Sequence, residues 1–100
     1  MVNVVLVTAH DLGRYLSIYG VRSVYAPNIE AFAGEAVVFN SHFTTAPNCS
    51  PARASIATGR YPHSNGVMGL AHHPFNWHLP ESERHIASIL RDNGYRTAIF

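Results

Sequence analysis

The sequence contains no lysine: its seven basic side chains are all arginine, six acidic ones oppose them, and the formal net charge is only +1. A charge this close to zero gives no electrostatic basis for binding nucleic acid or an acidic membrane surface. A single cysteine, Cys49, excludes an internal disulfide, so it serves either packing or chemistry. No apolar run approaches the roughly 20 residues of a membrane-spanning helix.

A signal peptide is also missing, because no basic segment precedes the apolar run at residues 2–7. The chain is therefore cytoplasmic if Met1 is the native start, or its leader has been removed or left out. What is present is an ordinary globular composition, 47% hydrophobic over 100 residues. That length predicts at most one small domain with a modest core.

The apolar patterns predict an α/β fold with a largely parallel sheet flanked by helices. Residues 2–8 form a β-branched run without helical period, typical of a strand buried on both faces. The spacing predicts two further strands, at 36–43 and 95–100, and three helices. The first helix has Asn28 as its cap and is closed by Gly34 and Glu35, and the second has Ser50 as its cap and Pro51 as its first residue. The third helix spans 81–93, with Glu81 and Glu83 in its first turn. Residues 61–80 predict a long irregular segment, which in compact domains is often functional.

Two places in this pattern carry candidate chemistry. Asp11 follows the first predicted strand, and ligands of open α/β sheets bind at the carboxyl ends of strands. Cys49 stands at the mouth of the predicted second helix, with Arg53 about one turn further on. A helix N-terminus favours anions, so this arrangement predicts an anion site around a reactive side chain. A buried structural cysteine beside a surface arginine is an equally good interpretation from position alone.

A resemblance to a known family bears on that choice. The run Cys49-Ser50-Pro51-Ala52-Arg53, followed by Thr58-Gly59-Arg60, resembles the signature of the formylglycine-dependent sulfatases. The segments at 26–30 and 94–97 also look like this family and stand in its order. Residues 61–70 look most like the branch related to heparan N-sulfatase (sulfamidase). The resemblance implies that residues 1–100 are the incomplete N-terminal portion of a sulfatase catalytic domain, part of an alkaline-phosphatase-like sandwich.

The resemblance also implies a mechanism. A maturation enzyme would oxidise Cys49 to formylglycine, whose hydrate attacks sulfur with one hydroxyl and expels sulfate with the other. Arg53 would stabilise the nucleophile and the developing charge. A divalent cation, usually calcium, would be held by Asp11 and by the modified Cys49. His10 departs from the family, which mostly has two adjacent acids here. It is a metal ligand, a hydrogen-bonding neighbour of the ligands, or a group that helps to hold the substrate.

The irregular segment contributes further candidates. His72, His73 and Trp77 could line a substrate site, or they could be solvated loop residues, with Trp77 covering the core. The spacing of His72, His73 and His78 fits no zinc motif well. Arg60 is expected to hold its helix through hydrogen bonds, rather than to act on substrate.

The implied substrate is a sulfated sugar, such as one with N-sulfated glucosamine. A phosphonate monoester or phosphodiester hydrolase and a non-catalytic anion-binding chain remain alternatives. The family's Gly-Lys-x-His segment, whose Lys and His bind sulfate, is absent from this lysine-free chain. We therefore expect these 100 residues to belong to a longer sulfatase and to be inactive alone.

Overall fold

The computed structural model describes residues 2–100, which divide into one unit that ends at His42 and a second that runs from Phe43 to Phe100. Within the described residues the regular elements are helical. They comprise one 3₁₀ turn, Ser17–Tyr19, and four α-helices: α1 (Pro27–Gly34), α2 (Cys49–Thr58), α3 (Pro62–Asn65) and α4 (Ile86–Asp92). None of these helices has the length and apolarity that a membrane span requires.

The three segments predicted as strands form no β-ladder among residues 2–100. They leave large apolar side chains in solvent: Val5 is 84% exposed, Val7 86% and Ile99 97%. A strand of a buried parallel sheet needs a paired neighbour on each side and a helical layer on each face. The sheet is therefore still a prediction.

In the first unit, α1 begins slightly before the predicted cap. Ala26 is the N-cap and Pro27 the first helical residue, whereas Asn28 already lies inside the helix. Proline favours this first position because its fixed φ suits a helix and its missing N–H would find no intrahelical partner there. The predicted end is confirmed, since α1 closes at Gly34 with Glu35 as its C-cap. The 3₁₀ turn packs against α1.

In the second unit, α2 starts two residues earlier than the sequence pattern predicts. Asn48 is its N-cap, so Cys49 is the first helical residue and Ser50 lies within the first turn. The helix ends at Gly59, whose φ of 68° is left-handed and whose N–H donates to the Ser55 carbonyl at 2.8 Å. Glycine takes this conformation without the steric cost that a Cβ brings.

The best-buried part of the second unit lies between α2 and α3. Helix α2 contributes Pro51, Ala54 and Ser55. The short helix α3 and the residues after it contribute Pro62, Asn65 and Val67. This small core holds α2 in place.

Helix α4 is shorter than predicted, because its first residue is Ile86 and not Glu81. His85 caps it, and the His85 and Ser88 side chains exchange hydrogen bonds with each other's backbone in a capping box. A capping box satisfies two N–H groups that have no intrahelical partner, which favours a start at this point. Glu81 and Glu83 consequently precede the helix.

Candidate functional site

The helix α2 presents Cys49 at its first position, and the Cys49 side chain is exposed. The alternative of a buried structural cysteine is therefore wrong within this chain. Asn48 makes no side-chain capping hydrogen bond, so its side chain does not take up the first N–H groups of the helix. Arg53 is exposed and lies one helical turn beyond Cys49 on the same helix. The helix thus combines a thiol, peptide N–H groups and a guanidinium.

The C-terminal end of α2 is held by an ion pair. Arg60 Nη1 donates to Oε1 and Oε2 of Glu83 at 2.9 and 2.8 Å. The Glu83 side chain is only 12% exposed and that of Arg60 is 51% exposed. This contact agrees with the interpretation that Arg60 positions the helix. Sequence reasoning assigned Glu83 to a helix terminus and missed this role, since no local pattern pairs residues 23 apart.

Asn65 is a second support that the sequence analysis missed. It is 1% exposed, and its amide donates to the Arg60 carbonyl at 3.1 Å and to Thr58 Oγ1 at 3.4 Å. Its Oδ1 accepts from the Val67 N–H at 2.9 Å. A buried amide needs such partners, because an unpaired polar group in the interior is costly. The only sequence signal was an asparagine directly before a helix-ending glycine.

The segment after α3 is joined to the start of α2. The Ala71 N–H donates to Ser50 Oγ at 2.9 Å, and Ser50 is the neighbour of Cys49 in the chain. Sequence reasoning interpreted Ser50 as the helix cap, and the structure gives its hydroxyl this other partner.

The candidate substrate residues of that segment are at the surface. His72 and His73 are exposed, and Trp77 is 41% exposed. His72 Nδ1 lies 2.9 Å from the His73 carbonyl oxygen, and its ring meets Phe75 edge-on with centroids 5.9 Å apart. The Trp77 side chain is therefore not fully buried against the core. Surface exposure is compatible with a substrate role for these three residues.

In the first unit, His10 and Asp11 form a contact with each other. His10 Nε2 lies 3.3 Å from Asp11 Oδ2, and both side chains are exposed. The Asp11 backbone has a φ of 52°, a left-handed conformation that aspartate adopts more readily than most residues. The contact fits His10 as a hydrogen-bonding neighbour of Asp11. Asp11 offers carboxylate oxygens, which suit a hard cation, while an imidazole suits a transition metal better.

Comparison with known proteins adds independent information. The chain is 39% identical to arylsulfatase H of Homo sapiens over 105 residues, 97% of this chain and 19% of that protein. It is 35% identical to human steryl-sulfatase over 104 residues, 97% of this chain and 18% of the relative. It is 33% identical to N-acetylgalactosamine-6-sulfatase of Canis lupus familiaris over 106 residues, 97% of this chain and 20% of the relative.

The chain thus spans about a fifth of the length of the curated relatives that it matches. No solved structure matches it significantly. The family model described as Sulfatase matches residues 2–100, nearly the whole chain. The signature around Cys49 and these relatives agree with that match, and the chain therefore belongs to the sulfatase family.

Proposed function

We propose that this chain carries the nucleophile-bearing helix of a sulfate ester hydrolase. The observation that carries the proposal is the exposed Cys49 at the first position of α2, one turn from Arg53, in a chain of the sulfatase family. A sulfate ester is a tetrahedral oxyanion. The positive end of a helix dipole and a guanidinium are the groups that bind such an anion.

The chain's own residues have separate tasks in this proposal. The first N–H groups of α2 orient a sulfate oxygen, and Arg53 stabilises the charge that develops as the bond to sulfur forms. Cys49, once converted to formylglycine by a maturation enzyme, supplies the attacking oxygen. The ion pair between Arg60 and Glu83 and the buried Asn65 keep the helix in a fixed place.

A divalent cation, calcium in the first instance, is part of the same proposal. Asp11 would hold it, and His10 would orient the Asp11 carboxylate through the contact at 3.3 Å. The cation would neutralise the negative charge of the substrate and make the nucleophile more acidic. Calcium takes six to eight oxygen ligands, so Asp11 supplies only a minority of the set.

The proposed substrates are sulfated sugars. The name of one relative specifies an N-acetylgalactosamine 6-sulfate and that of another a steryl sulfate, so the family accepts ring-bearing groups of different polarity. The resemblance of residues 61–70 to the heparan N-sulfatase branch supports N-sulfated glucosamine as the specific candidate. The exposed Trp77 and its neighbouring histidines would contact the sugar.

The fold proposed for the whole domain is an α/β sandwich with a largely parallel sheet. The exposed apolar runs at 2–7 and 99–100 support it, because side chains such as Val5 and Ile99 need a partner layer. Family membership points the same way.

Two measurements on the full-length protein test the proposed function. Mass spectrometry of the peptide containing Cys49, after expression in a host that has the maturation enzyme, should show formylglycine. Hydrolysis of an aryl sulfate should exceed hydrolysis of a phosphonate monoester, and Cys49→Ala should abolish it while Arg53→Lys lowers it by at least about 10-fold. An unmodified thiol, or a clear preference for the phosphonate, would refute the proposal.

A further inference from the structure

One loop of the second unit has a defined shape of its own. Residues 70–77, here called the aromatic loop, close on themselves because the Trp77 N–H donates to the Leu70 carbonyl at 3.1 Å. Inside the loop the N–H groups of Phe75 and Asn76 both donate to the His72 carbonyl, at 3.0 and 3.2 Å. The loop is thus an ordered turn, able to present its side chains in a constant arrangement.

The indole of Trp77 is fixed against the residue that precedes the loop. A Cβ added to Gly69 would lie 2.6 Å from both Cδ1 and Nε1 of Trp77, so the ring rests directly on the glycine backbone. Trp77 nevertheless remains 41% exposed, and Phe75 is 56% exposed. Two large aromatic surfaces therefore face solvent from a fixed support.

Ser50 joins this loop to the helix that carries Cys49. Its Oγ accepts the Ala71 N–H at 2.9 Å, and it immediately follows Cys49 in α2. The hydrogen bond therefore sets where the aromatic loop stands relative to the first turn of α2. A serine at this position has a task beyond helix formation, since its side chain reaches a residue 21 positions further along the chain.

We infer that the aromatic loop is the wall of the active site that selects the ring-bearing group attached to the sulfate, and that Ser50 is its positioning residue. This inference rests on the proposed function. Trp77 and Phe75 offer flat apolar faces of the kind that pack against the C–H face of a sugar or against an aryl ring. The neighbouring His72 is a polar group that can hydrogen-bond a sugar hydroxyl.

The test compares Ser50→Ala, which removes the acceptor, with Ser50→Thr, which keeps a hydroxyl. Ser64→Ala is the control, since Ser64 is an exposed serine on α3. Hydrogen exchange of the Ala71 amide should be about 3- to 10-fold faster in Ser50→Ala only. Trp77 is the single tryptophan of the chain, so intrinsic fluorescence reports on the loop directly and should change in the same variant.

Steady-state kinetics with a sulfated glucosamine supplies the functional readout. Ser50→Ala should raise KM about 2- to 10-fold and change kcat by less than about 2-fold, because the loop holds the sugar and not the reacting sulfur. Ser50→Thr should restore the wild-type KM.

Equal exchange and equal KM in Ser50→Ala and wild type would overturn the inference, as would an identical defect in Ser50→Thr. A fall in kcat with KM unchanged would also overturn it, since that result assigns Ser50 to the chemical step. If the wild type hydrolyses no sulfate ester, the proposed function fails and the selective role fails with it. Exchange and fluorescence still decide in that case whether Ser50 anchors the loop.

Discussion

Replacement of Asn65 by alanine tests how α2, the helix that carries Cys49, is held. Asn65 is 1% exposed, and its side chain accepts the Val67 N–H at 2.9 Å and donates to the Arg60 carbonyl at 3.1 Å. Val67 is itself 2% exposed, so in Asn65→Ala water cannot readily replace the lost acceptor. The substitution therefore removes hydrogen bonds from the interior of the core.

The magnitude follows from two terms. A buried N–H left without an acceptor costs about 1–3 kcal/mol. The missing carboxamide leaves a small cavity, which adds about 1 kcal/mol. We expect Asn65→Ala to lower the free energy of unfolding by about 2–4 kcal/mol. That is a large part of the 5–15 kcal/mol typical of a domain.

Urea unfolding followed by far-UV circular dichroism measures this loss. Asn93→Ala is the matched control: the Asn93 amide also donates to a carbonyl, that of Ile89 at 2.8 Å, but Asn93 is exposed. Its loss should be about 1 kcal/mol or less. Asn65→Asp keeps the acceptor and the shape but replaces the donors with a buried carboxylate, and it should destabilise at least as much as alanine.

Two results would refute this reasoning. If Asn65→Ala costs no more than the Asn93 control, the buried hydrogen bonds do not support the helix. If Asn65→Asp matches the wild type, the hydrogen bonds that the Asn65 amide donates do not contribute to stability.

Further predictions concern the same unit. Glu83→Gln should lower the free energy of unfolding in urea by about 1 kcal/mol, because it removes the charge from a carboxylate that is only 12% exposed. Asp92→Asn should cost less, since the ion pair of Asp92 lies in solvent. Equal losses in the two variants would show that burial of the ion pair does not affect its contribution. Gly69→Ala should displace the indole of Trp77, so the emission of the single tryptophan should shift; an unchanged spectrum would contradict the packing. Gly59→Ala should destabilise by about 1 kcal/mol, because φ is 68° and a Cβ is strained there, and a neutral result in the same unfolding assay would argue against that helix end.

Local signals predicted part of the helical pattern of this chain. The proline and small residues after Cys49 indicated α2, and Asn93 and Gly94 marked the end of α4, whose last residue is Asp92. The start of α4 was misplaced, because Glu81 and Glu83 looked like first-turn acids, whereas the His85 capping box starts the helix later. The sequence alone does not show whether an acidic residue near a helix start stabilises the helix dipole or pairs with a distant arginine.

The residues of the candidate site also fall into two groups, those that the sequence predicted and those that it missed. Cys49 and Arg53 were found from sequence because their chemistry depends on neighbours within one turn of one helix. Asn65, Glu83 and the hydroxyl of Ser50 were missed, since these side chains reach partners 5, 23 and 21 residues away. Local sequence signals do not establish the α/β sheet either, because strand pairing is a non-local property.

The amino-acid sequence by itself determined the family, the candidate nucleophile Cys49 and the helix that carries it, since these depend on residue type and short spacing. Only the tertiary structure decided that Cys49 is exposed, that Arg60 is paired with Glu83, and that Ser50 holds the aromatic loop. The reason is physical. Exposure and long-range hydrogen bonds arise when separate turns pack together, and side chains such as Asn65 acquire their role only from the core that encloses them.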